Sequence, residues 1–407
     1  MNPAPERILI VGSGHAGVEL AMALRQRGHA GPVTLVGAEP DLPYQRPPLS
    51  KEFLKSAEDA GLPLKAESLY AAKDIELLLG VRAEAIDRAA RKLRLHDGRS
   101  LGYDHLVIAT GARNRVPPIP GLDHAPQLAL RTLADARALH RRLDDLRHVT
   151  IIGGGFIGLE VAALLHLRGI AVDLVEATPT LMGRVLSKEM SAHFRFFHEG
   201  LGTTLHFETL VRGVHGSGHD WSVSLSSGDD ISTDAILVAA GVVPNVELAQ
   251  AAGLAVENGI VTDAEMATAD PAISAIGDCA AYPNTFTGGM ARLESVQNAV
   301  DQAKHLAARL TGEPTAPFAA VPWFWSNQGS QRLQIAGIGA GHDDAVLRGE
   351  PGADKFSIFL YRGDRLLAVE SVNAAADHMI ARRLVGQGTV LPKAVAADLS
   401  KDLKGFL

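Results

Sequence analysis

The stretch 148-HVTIIGGGFIGLEVAALLHLRG-169 decides the fold. A short apolar run, Val149 to Ile152, predicts a buried strand. Gly153, Gly155 and Gly158 follow in the spacing G-x-G-x-x-G, and an apolar helix runs on to the glycine at 169. The next segment, 170-IAVDLVEA-177, predicts a second strand ending on the acid Glu176. Each residue type has a physical reason. The first glycine permits a tight turn, the second lets backbone approach a pyrophosphate, and the third lets helix pack on strand. The N–H groups of the helix N-terminus face an anion, and an acid after the second strand accepts hydrogen bonds from a ribose diol. The same pattern opens the chain. In 7-RILIVGSGHAGVELAMALRQRG-28 the strand is Ile8 to Val11, the glycines are Gly12, Gly14 and Gly17, and the helix runs to about Gly28. The segment 32-PVTLVGAE-39 then predicts a strand ending at Glu39. Two cradles imply two dinucleotides, and a protein holding two dinucleotides passes electrons between them.

The rest of the composition narrows the class. With 407 residues the chain exceeds one ordinary core, so two or three domains are expected. A net charge of −7 argues against a general nucleic-acid binder. The sequence shows no apolar run of the roughly 20 residues a membrane helix needs, and its start does not read as a signal peptide. The single cysteine, Cys279, excludes an intramolecular disulfide and a Cys-x-x-Cys redox pair. The 16 histidines form no ligand-spaced cluster, and those such as His15, His193 and His198 read as helix or turn residues, so no metal is expected. A cytoplasmic location is the expectation.

Further segments tie the cradles to named cofactors. Residues 104-DHLVIATGAR-113 predict a strand running into a Thr-Gly turn, and 271-PAISAIGDCAAY-282 a strand ending at Gly277-Asp278. With the first cradle, this trio resembles the two-dinucleotide flavoproteins that include glutathione reductase. The resemblance implies an α/β fold with two Rossmann-like dinucleotide-binding domains of that type and a C-terminal α+β domain. FAD would lie in a discontinuous domain, 1–114 and 246–314, which the helix in 291-ARLESVQNAVDQAKHLAARL-310 completes. NAD would lie in 115–245, closed by 235-AILVAAGVVPNVEL-248, and the third domain would be 315–407. Asp278 would hold the flavin ribityl chain; as a plain reading it caps the helix that follows. NADH is expected over NADPH. Ala177, Thr178 and Pro179 follow Glu176 with no adjacent arginine, and Glu176 repels a 2′-phosphate, although Arg184 lies within reach.

Residues 44-YQRPPLSKEFL-54 predict a rigid entry to a helix starting near Leu49 or Ser50. Together with 153-GGGFIGLEVA-162, 292-RLESVQNA-299 and 322-PWFWSNQ-328, this run closely resembles the NADH-dependent ferredoxin reductases of bacterial oxygenase systems, across essentially the whole chain. The resemblance implies that Lys51 sits beside flavin N5, and that Glu160 pairs with Lys51 and borders the nicotinamide. It puts His15 and Ala16 with the first glycines among the residues that hold FAD. Ala38 and Glu39, at the end of the second strand of that cradle, would contact FAD as well. Arg46, Pro47, Ala83, Ala109, Thr110, Gly111 and Arg131 would also contact FAD. Glu294, Ser295 and Val296 would lie by the pyrimidine end of the ring, and Trp325 would flank the isoalloxazine. Phe156, Ile157, Ala240 and Gly241 would join the second glycines in holding NAD. Trp323 and Phe324 read as core aromatics, and Cys279 as a small buried residue rather than a nucleophile. Lys51 and Glu160 have bland readings too, as a solvated first-turn lysine and an exposed helical acid.

From about residue 315 the pattern changes. 331-QRLQIAGIG-339, 355-KFSIFLYR-362 and 364-DRLLAVESV-372 predict antiparallel strands, and 373-NAAADHMIARRLVGQG-388 a helix stopped by glycine. Basic and acidic residues nearly balance here, whereas the remainder is net acidic. The resemblance implies an acidic [2Fe–2S] ferredoxin as partner, and this less acidic segment suits it, with Arg309, Arg332, Arg382 and Arg383 as candidate contacts. It would feed a cytochrome P450 or a ring-hydroxylating oxygenase, and the chain would be a monomer or weak dimer. Competing readings are an NADH oxidase, peroxidase or quinone reductase, a rubredoxin reductase, or an NADH-sensing flavoprotein that acts by binding.

Overall fold

A computed structural model describes residues 5–58, 61–218 and 220–407. The chain forms two compact units. The first runs to Gln45, resumes as far as Arg113 and ends with Val243–Ala320; the second holds Arg46–Glu58, Asn114–Val242 and Val321–Leu407.

In the first unit five parallel strands lie in the order Ile273–Ala275, His105–Ile108, Ile8–Val11, Val33–Val36, Ile75–Leu78. Ile8–Val11 is central and buried along its whole length, as a run of β-branched and leucine residues covered on both faces must be. Ile8 and Ile10 pack with the helices His15–Gln26 and Val296–Leu310. Leu9 and Val11 pack against a three-stranded meander, Ala83–Asp87, Lys92–Leu95 and Ser100–Gly102. The strand predicted to end at Glu39 stops at Val36, where the apolar run gives way to Gly37. The late helix begins at Val296, because Ser295 caps it by accepting the N–H of Asn298 at 3.0 Å.

The second unit repeats this plan. Its parallel sheet has the order Thr204–His206, Ala171–Val175, His148–Ile152, Ala235–Val238, Gln127–Leu128. The cradle strand is again central, and the helix Phe156–Leu167 follows it. A second meander, Val211–Ser217, Asp220–Leu225 and Asp230–Thr233, closes a core with Ile152, Val175 and Ile236.

Residues 323–372 of this unit form a five-stranded antiparallel sheet, and the helix Ala375–Gln387 stops at Gly388 with a φ of 63°. The three strands expected here are present. Trp323–Gln328 and Asp344–Arg348 add two outer strands that the sequence pattern did not mark. The segment Pro47–Ser50 is a 3-10 turn, and an α-helix begins only at Glu52, later than expected. Lys51, with φ −132° and ψ −108°, interrupts the helical backbone between them.

One buried acid of the second unit ties two of its segments together. Glu370 accepts the N–H of Ser187 at 2.8 Å and its hydroxyl at 2.5 Å, at the start of the helix Lys188–Leu201. Burial pushes the Glu370 carboxyl up from 4.5 to about 7, against the pull of those donors. A raised carboxyl pKa means the folded state holds the proton more tightly. Its contribution to stability is full below pH 4.5 and is lost as pH rises through about 7. Glu370→Gln is therefore expected to gain about 2 kcal/mol of stability relative to the parent between pH 5 and pH 8.5. Urea titrations of both proteins at the two pH values check this; a difference independent of pH contradicts it.

Candidate functional site: two glycine cradles and a buried ion pair

The first cradle sits at the C-terminal edge of the first unit's sheet. Gly12 turns with a φ of 120°, and a Cβ there would lie 2.0 Å from the carbonyl oxygen of Ala109. A Cβ on Gly17 would lie 2.0 Å from the carbonyl oxygen of Gly12. These two glycines are demanded by the protein's own packing. Gly14 is different: nothing lies within 4 Å of its would-be Cβ, yet it opens the helix beginning at His15 with no side-chain cap. The space in front of it and of the N–H groups of His15 and Ala16 suits a pyrophosphate, so the residues present fit the dinucleotide.

Other expected residues of that cradle lie on the same unit. The turn Ala109-Thr110-Gly111 leaves the strand beside Gly12. Thr110 is tied down, its hydroxyl donating to the Asn245 carbonyl at 2.7 Å and its carbonyl accepting from the Asn245 amide at 2.9 Å. Gly277, with a φ of 77°, brings the Gly277-Asp278 turn against Ala16. Arg292, which the sequence reading left without a role, donates to the Asp278 carbonyl at 3.1 Å and pairs with Glu294 at 2.7 Å. Glu39 accepts from the hydroxyl of Tyr44, Ala38 beside it is exposed, and Ala83 is half-buried at the start of the meander. Ser295 and Val296 form the cap and first residue of the late helix. Cys279 is fully buried, and burial raises its thiol pKa, as befits a packing residue rather than a nucleophile.

The second cradle has the same logic. A Cβ on Gly153 would lie 2.5 Å from the Ala239 carbonyl oxygen and one on Gly158 2.4 Å from that of Gly153, whereas Gly155 again has nothing within 4 Å. Phe156 opens the helix and packs its ring 4.5 Å from that of Phe324, and Ile157 is exposed. The turn Ala240-Gly241 faces Arg184, whose guanidinium comes within 3.3 Å of a Cβ built on Gly241. Glu176 does more than the sequence showed. Its carboxylate accepts the N–H of Gly154 at 2.7 Å and both the N–H and the hydroxyl of Thr178, at 2.8 and 2.7 Å. It therefore braces the glycine turn as well as presenting a negative charge.

Lys51 and Glu160 are brought together within the second unit. Lys51 Nζ lies 2.7 Å from Glu160 Oε2 and also donates to the Pro47 carbonyl at 3.1 Å. Neither bland reading holds, since their side chains are only 12% and 3% exposed. The same Oε2 accepts from Ser50 Oγ at 2.5 Å, and Oε1 accepts from Ser326 Oγ at 2.7 Å and the Asn327 N–H at 3.1 Å. Four donors satisfy the buried carboxylate, the condition under which a charge is kept away from water. A cleft of about 290 Å³ opens beside the pair, lined by Ser50, Lys55, Asn327 and Arg332 among others. Arg46 donates to the Arg131 carbonyl at 2.5 Å in the same unit.

The aromatic run corrects one expectation. Trp323 and Phe324 are half-buried, not core, because they lie on an outer strand of the sheet. Trp323 packs 5.4 Å from Trp325 and carries the Arg382 guanidinium 4.5 Å above its ring. Of the four candidate partner arginines, Arg332, Arg382 and Arg383 are exposed. Arg309 is not available: its guanidinium turns inward to donate to Ser274 Oγ at 2.6 Å, beside the buried His105. Among the described residues no helix is long and apolar enough to cross a membrane.

Known proteins resemble this chain in sequence and in fold. Rhodocoxin reductase of Rhodococcus erythropolis is 47% identical over 399 residues, covering 98% of this chain and 93% of that protein. The ferredoxin reductase for the CYP199A2 system of Rhodopseudomonas palustris superposes with a TM-score of 0.95 at 44% identity, over 98% of this chain and 99% of that one. The reductase in the covalent putidaredoxin reductase–putidaredoxin complex gives 0.94 at 37% identity, over 98% of both chains. A reductase C-terminal model matches residues 323–407, and residues 6–303 match the pyridine nucleotide-disulphide oxidoreductase model. By sequence, fold and paired cradles, the chain belongs to the pyridine nucleotide-disulphide oxidoreductase family.

Proposed function

We propose that this protein is an FAD-dependent NADH:ferredoxin reductase that supplies electrons to a cytochrome P450 or ring-hydroxylating oxygenase. The paired cradles carry the reading. In each, the middle glycine is the one whose missing side chain serves no contact within the protein. FAD, when bound, accepts a hydride from NADH and releases electrons one at a time, which reconciles a two-electron donor with a one-electron acceptor. The single, buried cysteine suits an acceptor that is not a disulfide.

The chain's own residues have these roles. The first glycine cradle, with Asp278 and Thr110, holds FAD; the second, with Glu176, holds NADH. Lys51 supplies a fixed cation for the flavin N5, where negative charge develops on reduction. Glu160 orients that lysine and borders the nicotinamide. The exposed Arg332, Arg382 and Arg383 attract an acidic [2Fe–2S] protein, and such steering weakens as salt rises. The protein works in the cytoplasm, where its nicotinamide donor is held.

Rapid mixing tests the reading. NADH should bleach the flavin absorbance, and NADPH should do so far more slowly. Glu176→Ala should narrow that difference and leave FAD content unchanged. Loss of the yellow colour from Glu176→Ala would reverse the assignment of the two cradles.

A further inference from the structure

We propose that Ser326, contributed by the segment matched by the reductase C-terminal model, is a positioning residue for the Lys51–Glu160 pair. It belongs to a buried chain of donors aimed at that carboxylate. The proposal rests on the reading of Lys51 and Glu160 given above and extends it to the segment beyond the cradles.

The geometry divides the Glu160 carboxylate between two parts of the second unit. Oε2 serves the loop, accepting from Ser50 and Lys51; Oε1 serves the outer strand Trp323–Gln328, accepting from Ser326 Oγ and the Asn327 N–H. Side chains at i and i+2 share one face of a strand, which puts Ser326 and Gln328 side by side. Gln328 Nε2 lies 3.2 Å from Ser326 Oγ, and Gln328 Oε1 lies 2.9 Å from His198 Nε2. Glu160 is 5% exposed, and Ser326, Gln328 and His198 are fully buried.

That arrangement fixes the direction of every proton. Ser326 donates to the Glu160 carboxylate, so the Gln328 amide nitrogen faces Ser326 and its oxygen accepts from His198 Nε2; burial, which lowers the His198 pKa, favours the neutral ring there. The Gln328 amide nitrogen then donates to Ser326 Oγ. The single hydroxyl proton of Ser326 is left for Glu160 Oε1. Three consecutive dipoles thus point toward the anion, and they hold the plane of the carboxylate from the side opposite Lys51. Without the Ser326 donor Oε1 keeps only the Asn327 N–H, so the carboxylate is held less firmly about its Cγ–Cδ bond, and the lysine that depends on Oε2 is held less firmly with it. The effect falls on orientation rather than on NADH binding, because no atom of Ser326 belongs to the glycine turn.

The test is a double-mutant cycle on the FAD-loaded full chain, read as the limiting rate of flavin reduction by NADH. Ser326→Ala should lower that rate about tenfold, the effect of one lost hydrogen bond to a charged group. The apparent NADH dissociation constant should stay within about twofold and FAD content should be unchanged. Ser326→Thr should restore most of the rate. In a Glu160→Gln background the added Ser326→Ala change should have less than about a twofold effect. A parental rate for Ser326→Ala beside a slow Glu160→Gln overturns the proposal alone. An equal loss from Ser326→Ala in both backgrounds also overturns it, since the serine then acts independently of Glu160. A parental rate for Glu160→Gln overturns the proposal together with the role given to that acid. If Ser326→Ala does not accumulate as folded protein, Ser326→Cys carries the same cycle with its weaker donor.

Discussion

Gly155→Val is expected to yield a folded, yellow protein that binds NADH about 100-fold more weakly than the parent. On the protein side the change is tolerated. Gly155 has φ −85° and ψ −178°, an extended conformation open to any residue, and nothing lies within 4 Å of its would-be Cβ. On the ligand side it is not tolerated, because an isopropyl group there occupies the space in front of the helix N-terminus where the phosphates approach. Blocking two charge-assisted hydrogen bonds accounts for a loss of that size. Flavin bleaching against NADH concentration measures the affinity, and a thermal melt within a degree or two of the parent shows that the fold is kept. A substituted protein that melts much earlier would mean that Gly155 serves packing after all.

Gly14→Val is the mirror experiment. Its backbone is also extended, with φ −80° and ψ −169°, and its would-be Cβ also meets nothing. The expected product is a folded but colourless chain that does not turn yellow when FAD is added. FAD makes the more extensive set of contacts in the reading above, so the whole colour is expected to go rather than a fraction. The neighbours of Gly14 supply the contrast. Alanine at Gly17 would drive a Cβ to 2.0 Å from a backbone oxygen, so Gly17→Ala should cost the fold as well as the colour. A Gly14→Val protein that keeps full colour would show that FAD lies elsewhere.

What could be read from the sequence follows from distance along the chain. Strand, glycine turn and helix lie within some 20 residues, and their apolar periodicity and glycine spacing are local signals, so both cradles and their order were legible. The acids after the second strands were legible for the same reason. The meanders at 83–102 and 211–233 were not. Most of their positions are exposed or half-buried, and each buries only a few side chains such as Leu93 and Val223. Trp323 and Phe324 read as core because they are large and apolar, but an outer strand leaves such residues half covered. The inward turn of Arg309 needs a partner, Ser274, that only the sheet brings near. The Lys51–Glu160 pair spans 109 positions and was available only through family resemblance. The donors that complete it, Ser50 and Ser326, lie in runs that carry the family resemblance, but nothing local marks them as partners of that acid. Ser326 lies 166 positions from the acid it serves.

An anaerobic rapid-mixing titration measures the conversion of paired electrons into single ones. Protein reduced by one equivalent of NADH is mixed with an excess of a [2Fe–2S] ferredoxin, and flavin and iron–sulfur absorbance are followed together. Two ferredoxins reduced for each NADH consumed, at a rate far above reoxidation of the same protein by air, is the predicted result. Reduced flavin that ignores the ferredoxin and is discharged only by oxygen or a quinone would contradict the account.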